Sequence, residues 1–415
     1  MSVQKHLCVI GAGVVGTATA LNLLRDGHRV TMIDRGPPGE ATSFGNAAVI
    51  EPHGVIPVPR PGVLWRVPGY LMNPRGPLAI RWAYLPRLTP WLARFVWNSR
   101  PAKVKRSTEA LDKLLRPVIE LWRELLASIG AEDMIHERGW LAVAETGPVW
   151  REYQRQIEVH RRYGAPPIVL KPEEIRQHEP SLAPLNFAGA AFYPKVAHVV
   201  SPLRIVQVVA GAAQREGAAL VRDEILGFEQ RDGKVVSLKG RESSYPCDGV
   251  VLTGGAWSRG LAAALGARIP LDTERGYHVM LPNAGVEPRQ PVLSLEGGYV
   301  ATPLEHGLRV AGTDELGGLK LAPNWQRAQV LLDAAKRWFP QVNTEGATRW
   351  MGFRPSLPDS VPVISAAPSA SNAWLGFGHG HLGLTMGART GQLIAALVAG
   401  RDPGIDMKPY RADRF

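Results

Sequence analysis

The sequence predicts an α/β protein, α+β overall: a parallel-sheet domain joined to a second domain with a mixed or antiparallel sheet and helices. Three observations carry this. A short apolar run, Leu7-Cys8-Val9-Ile10, leads straight into Gly11-Ala12-Gly13-Val14-Val15-Gly16, and a second run, Val30-Thr31-Met32-Ile33, ends in Asp34. Another glycine-rich turn, Gly376 to Gly383, opens a long apolar stretch close to the C-terminus. Between them helical spacing and strict alternation both occur, as two kinds of layer require. The 415 residues allow two to three domains at about 150 residues each.

The first element is a strand–GxGxxG–helix–strand–acid unit, the Rossmann order. Gly11 permits the tight turn, Gly13 lets the backbone approach a pyrophosphate, and Gly16 lets helix and strand pack closely. Val14 and Val15 begin the helix, whose first N–H groups and partial positive charge suit phosphate. Asp26-Gly27 ends it. Asp34 follows at the spacing that serves a ribose diol, which favours FAD or NAD over NADP.

The next segment, Gly39 to Ala48, clusters small and hydrogen-bonding residues. Thr42, Ser43 and Asn46 can bond ribityl and phosphate groups, and Ala47 and Ala48 let a flat ring come near. A flavin needs this second contact region.

No Asp or Glu stands between Glu51 and Glu109. The stretch holds Arg60, Arg66, Arg75, Arg81, Arg87, Arg94, Arg100, Lys103, Lys105 and Arg106, with Trp65, Trp82, Trp91 and Trp97 among them. Basic and aromatic residues together suit an anionic membrane interface, and a solvated basic face with buried tryptophans is the plainer reading. No nucleic-acid recognition module accompanies the charge.

Residues 107–129 carry leucines, Val118 and Trp122 at i, i+3, i+4, i+7 spacing, which predicts one amphipathic core helix ended by Gly130. Ser201-Pro202 caps a helix that Gly217 closes. Asp232-Gly233 is a hairpin turn, and Val250-Val251-Leu252 is a buried strand leading to Gly254-Gly255-Ala256-Trp257. Tyr299–Thr302 and Leu308–Ala311 read as paired strands. The terminal helix begins after Gly380-His381-Leu382-Gly383-Leu384-Thr385 and ends at Gly400. Its N-terminus can stabilise the negative charge a flavin gains on reduction, which again favours FAD over NAD.

Composition narrows the class. Formal charge is +11, hydrophobic residues are 45% and charged residues 20%, which excludes disorder as the main state. Two cysteines, Cys8 and Cys247, cannot build a disulfide framework and form no zinc motif, so no metal is expected and a reducing compartment is. No apolar run reaches about 18 residues, and the N-terminus has no signal-peptide pattern. A cytoplasmic protein is expected, with contact to the inner face of the membrane an open option.

The motifs GAGVVG at 11–16, ATSFGNAA at 41–48, VVLTGGAWS at 250–258, RGYH at 275–278, WMGFRPSLPDSVPVI at 350–364 and GHGHLG at 378–383 together resemble the D-amino-acid oxidase superfamily of flavoproteins. The likeness is strongest to bacterial D-amino-acid dehydrogenases (small subunit) and to cis-4-hydroxy-D-proline dehydrogenases or oxidases. It implies a glutathione-reductase-type FAD domain at 1–55, 200–265 and 345–415, and a substrate domain at 56–199 and 266–344. It implies non-covalent FAD, further cofactor contacts at Arg35, Ile225, Gly254, Gly255 and Trp257, and hydride transfer from a D-amino acid to flavin N5, giving an imino acid and then a 2-oxo acid. A quinone or respiratory-chain acceptor and a homo- or hetero-oligomer are compatible with it.

Such chemistry needs a clamped carboxylate, a Cα–H at roughly 3–3.5 Å from the reacting atom, and a neutral amine. Arg354 is the expected clamp, because a guanidinium binds carboxylate bidentately at any working pH. Arg275 is a second candidate. Tyr277 and His278 follow it and are expected to line the pocket. His381 could assist deprotonation, while His379 belongs to the same turn. No dedicated base is assigned. Two other readings fit the same motifs: a glycine- or sarcosine-type amine oxidase using oxygen, and a flavin-binding protein that turns over no amino acid.

Overall fold

The computed structural model describes residues 4–62, 69 and 76–415, so Trp65, Arg66 and Arg75 of the basic stretch lie outside the described residues. The motif unit forms as its local chemistry demands: strand His6–Ile10, helix Val14–Arg25, strand Arg29–Asp34. These strands pair in parallel and belong to a six-stranded sheet. Its order runs Ala219–Arg222, Arg29–Asp34, His6–Ile10, Gly249–Leu252, Ala373–Phe377, Val363–Ala366, and only the last pairing is antiparallel. The central strands are buried along their length except for the partly exposed His6, as strands covered on both faces must be. Ser201 Oγ accepts the Arg204 N–H at 3.3 Å and caps helix Pro202–Arg215. The hairpin turn places Asp232 at φ 48° and Gly233 at φ 69°, the left-handed pair that a two-residue turn needs.

The second layer is a mixed nine-stranded sheet. Strand Asp272–Leu281 lies between Thr348–Ser356 and Gly307–Leu316, antiparallel to both. Tyr299–Leu304 pairs with Gly307–Leu316, as expected for that hairpin. The short strand Leu78–Ile80 adds to Gly307–Leu316 in parallel.

Two segments fall differently from the expected division. Thr348–Ser356 belongs to the second sheet, so a boundary at 345 cuts ahead of it. The predicted single helix over 107–129 is two, Pro101–Leu115 and Val118–Ala127. Pro117 has no N–H to continue the ladder, so the apolar stripe passes through a break. Both helices pack into the core of the first sheet, where Leu111, Leu114 and Trp122 share one apolar cluster with Ala18, Leu21 and Met386.

Candidate active site

A cavity of about 1170 Å³ runs between the two layers, beyond the size a single drug-like ligand fills. Its first stretch is the glycine turn. Gly11 sits at φ 105°, and a Cβ there would lie 2.7 Å from the Thr253 carbonyl oxygen. A Cβ on Gly16 would fall 1.8 Å from the Gly11 carbonyl oxygen, so these glycines are steric requirements. Gly11, Gly13, Val14, Val15, Asp34 and Arg35 line the cavity, whereas Gly16 stands behind it as a packing residue. Asp34 accepts the Ala12 N–H at 2.7 Å and the Gly36 N–H at 3.1 Å, which orients its carboxylate at the strand end. Ile225, Gly254, Gly255 and Trp257 continue the wall, and the Arg35 guanidinium lies 4.0 Å from the Trp257 ring centroid.

The loop at 41–48 forms the middle of the wall through Thr42, Ser43, Asn46 and Ala47. Ser43 Oγ accepts the Val14 N–H at 3.1 Å, joining loop to helix N-terminus. Ala48 is buried at φ 67°, with its N–H bonded to Asn46 Oδ1 at 2.8 Å, so it shapes the loop without facing the cavity. The second sheet holds this loop from outside. Arg309 Nη1 donates to the Phe44 and Asn46 carbonyls at 2.8 and 2.9 Å, Thr302 Oγ1 to Ala47 O at 2.8 Å, and Thr42 Oγ1 to Phe353 O at 2.8 Å. Buried Arg309 is pushed down to about 10 by desolvation.

The far end is closed by the terminal turn. Gly380, His381, Leu382, Gly383, Leu384 and Thr385 all line it, and helix Gly383–Val398 points its N-terminus there. His379 Nε2 meets Thr390 Oγ1 at 2.9 Å in the interior and serves the packing of this turn. His381 faces the cavity, and desolvation, then the charge of Arg354, pushes it down to about 4.

Arg354 reaches the same end across strand Asp272–Leu281. Gly276 makes this passage possible, because a Cβ there would meet Arg354 Cζ at 2.5 Å. The guanidinium pairs with Asp314, and its Nη1 stands 3.4 Å from Thr313 O. A β-bulge sets this geometry. Gly276 pairs with Asp314 and Tyr277 with Gly312, leaving Thr313 unpaired at φ 54°. A β-branched residue in that region is an outlier, and bulges re-aim side chains beside active sites. Here the bulge brings Asp314 to Arg354.

The other residues of the 275–278 segment are not where the sequence reading put them. Arg275 and Tyr277 point to the opposite face, because side chains alternate along a strand. Arg275 is fully buried, 3.0 Å from Glu315 and donating to the Gly318 and Leu321 carbonyls at 2.7 Å. The Tyr277 hydroxyl accepts the Asn324 N–H at 2.9 Å within the second core. His278 is covered by Trp350, the two rings stacked at 5.1 Å and 16°, and burial pushes it down to about 3.

Trp350, Asp314 and Glu51 are among the cavity residues that the sequence reading did not single out. Trp350 left a trace in the two glycines it lies across. A Cβ on Gly45 would fall 1.7 Å from its Cζ3, and one on Gly352 1.9 Å from its Cη2.

The glycine cradle, the oriented acid at the strand end, the second loop and the second helix N-terminus fit a long dinucleotide with a flavin at the far end. Neither cysteine lines the cavity. Fold and site thus define a dinucleotide-dependent oxidoreductase. The family model described as "FAD dependent oxidoreductase" (DAO) matches residues 6–397, and the chain belongs to this family. It is 38% identical to a D-amino-acid oxidase of Bradyrhizobium diazoefficiens over 99% of each chain, and 34% identical to a D-amino acid dehydrogenase of Paramagnetospirillum magneticum over 98% of each. Among solved structures it resembles glycine oxidase from Geobacillus kaustophilus, with TM-score 0.77, 22% identity and all of both chains covered. It also resembles L-proline dehydrogenase from P. horikoshii, with TM-score 0.75, 19% identity, and 100% of this chain and 98% of that one covered. The cofactor is FAD.

Proposed function

We propose that this protein is a D-amino-acid dehydrogenase that oxidises the Cα–N bond, with D-proline and cis-4-hydroxy-D-proline among the substrates to test. One observation carries the reading: a guanidinium, Arg354, opens into the end of the cofactor cavity where the terminal helix begins. A carboxylate docked on Arg354 forms a charge-assisted, bidentate contact. Asp314 holds the fork in place, and neutral His381 adds no competing charge. Leu293, Leu295, Val300 and the Trp350 indole supply apolar wall for a small aliphatic or cyclic side chain. Bound FAD supplies a two-electron acceptor. The names of the relatives, D-amino-acid oxidase and D-amino acid dehydrogenase, support this substrate class.

Electrons then pass to a quinone or another chain component. The second reading, oxygen as acceptor, is favoured by the relative at 38% identity being an oxidase, and peroxide release during turnover distinguishes it. For the acceptor side, the docking face is the surface around helix Leu85–Asn98, which meets anionic lipid. Trp82 and Trp97 are exposed there, Arg100 lies 3.6 Å over the Trp97 ring, and Trp91 is buried. No helix among the described residues is long and apolar enough to cross a membrane.

The test is anaerobic mixing of the yellow protein with D- and L-amino acids, read as bleaching of the flavin band. D-forms should bleach it and L-forms should not. Arg354→Ala should keep FAD and lose bleaching. Unchanged bleaching in that variant refutes the clamp, and a wild type inert to every D-form refutes the reading.

A further inference from the structure

Glu51 follows the two-residue strand Val49–Ile50 and lines the cavity. One hydroxyl fixes it. Thr385 Oγ1 accepts the Glu51 N–H at 3.2 Å and donates to Val49 O at 3.3 Å. Thr385 stands in the first turn of helix Gly383–Val398, so Glu51 is tied to the helix start at the flavin end, where Arg354 and His381 also open.

The other acids of the cavity wall have partners. Asp314 pairs with Arg354, Asp34 accepts two backbone N–H groups, Glu296 accepts from Glu145 and Thr146, and Glu224 pairs with Arg241. Asp223 accepts from Tyr245 and from neighbouring backbone N–H groups, and Glu274 lies by Ser356 and Arg354. Among the described residues, no hydrogen bond or ion pair reaches the Glu51 carboxylate. A carboxylate kept unpaired in a largely enclosed wall is costly, and a docked cation offsets that cost.

Resting on the amino-acid reading above, we infer that Glu51 receives the substrate ammonium and takes its proton. The substrate is a zwitterion, and the cavity offers Arg354 for its carboxylate and Glu51 for its ammonium. In the step, one N–H bond breaks, an O–H bond forms on Glu51, and the electron pair stays on nitrogen. The nitrogen lone pair is then free to form the C=N bond as hydride leaves Cα for FAD.

The surroundings suit a group that changes charge near neutrality. Burial pushes Glu51 up to about 7. His53 on its own loop and His160 behind it are pushed down to about 4, chiefly by burial, with Lys195 and Arg60 adding to the effect. Burial raises Tyr153 and Tyr193, and the charge of Glu51 adds a smaller push in the same direction. The Tyr193 hydroxyl lies 2.7 Å from His160 Nδ1 and 3.1 Å from the Tyr153 hydroxyl, so this wall is a buried neutral network. At the same end His381 is pushed down to about 4, and Glu274, beside Arg354 and Asp314, is also pushed up to about 7. Glu274 therefore serves as the control.

The experiment is anaerobic flavin reduction by the best D-amino acid from pH 5.5 to 9. In the wild type the limiting rate should fall as pH drops through about 7, where Glu51 takes up its own proton. Glu51→Gln should slow reduction at pH 7 by about a hundredfold and lose that step, its rate now rising only where the substrate amine itself deprotonates. Glu51→Asp should restore part of the rate, and Glu274→Gln should keep the step. Benzoate, a carboxylate with no amine, is the second probe. Its binding, read from the flavin spectrum, should be nearly the same in Glu51→Gln as in the wild type. Unchanged rate and pH profile in Glu51→Gln overturns the assignment, as does loss of FAD or benzoate binding along with the rate. A wild type that no D-amino acid reduces removes the underlying reading instead.

Discussion

Gly276→Ala separates the anchor from the fold. Gly276 is in the middle of strand Asp272–Leu281, without positive φ, so alanine fits the backbone and restricts the unfolded chain more than glycine does. The new methyl would lie 2.5 Å from Arg354 Cζ and Nη2 and 2.9 Å from Nε. Ordinary contact is about 3.5 Å, so the guanidinium must move by about 1 Å. The strand partners are fixed on both sides, and the guanidinium is the flexible end of its side chain, so it is the part that yields. Losing an aligned charge-assisted bond costs about 2 kcal/mol, roughly thirtyfold in affinity for a carboxylate ligand. Anaerobic titration should show that loss for D-amino acids and for benzoate, with FAD content intact and a melting temperature equal to or above wild type. Unchanged affinity refutes the placement of Arg354 over Gly276. A fall in melting temperature with loss of FAD shows instead that the strand gave way.

Two further predictions concern the surface and the interior. Flotation with anionic liposomes at low salt should carry the protein upward, and Trp82→Ala combined with Trp97→Ala should leave it at the bottom; wild-type protein that stays down at low salt refutes the docking face. Acid should destabilise the fold through its buried histidines. Burial holds His53, His160 and His379 at about 4, and His198 and His278 at about 3, against about 6.5 when unfolded. The unfolded chain therefore binds more protons between these values, so stability is full above about 6.5 and declines as pH falls towards 4. Glu51 and Glu274, raised to about 7, act the other way, stabilising most at low pH and losing that contribution as pH rises through 7, but they are outnumbered by the histidines. The melting temperature should drop by roughly 5 °C or more between pH 7 and 4.5, and a flat profile refutes the balance.

The nucleotide half of the site was legible because its requirements are local. Gly11 needs positive φ, Gly16 must clear the carbonyl of Gly11, five residues back in the same turn, and Asp34 ends the strand beside them. These constraints involve neighbours in one βαβ unit, so they are written as spacing. The second loop and the terminal glycine turn were legible for the same reason. Pro117 was present in the sequence, yet the apolar stripe continued past it and hid the break.

The substrate half was less legible. Which face of strand Asp272–Leu281 meets the cavity depends on its register with two partners, one about forty residues and the other about eighty residues away in sequence. The bulge at Thr313 shifts that register by one residue, and with it the company Arg354 keeps. Nothing in Arg-Gly-Tyr-His says that the glycine faces the site while arginine and tyrosine face the core. Glu51 likewise gives no sequence signal, since its meaning comes from Thr385, more than three hundred residues on. The sequence by itself determined the cofactor class and the cradle, because backbone conformation and close approach are short-range. Only the tertiary structure decided which carboxylates and rings surround the substrate, because strand register and the packing of one layer on the other are set by contacts between distant segments.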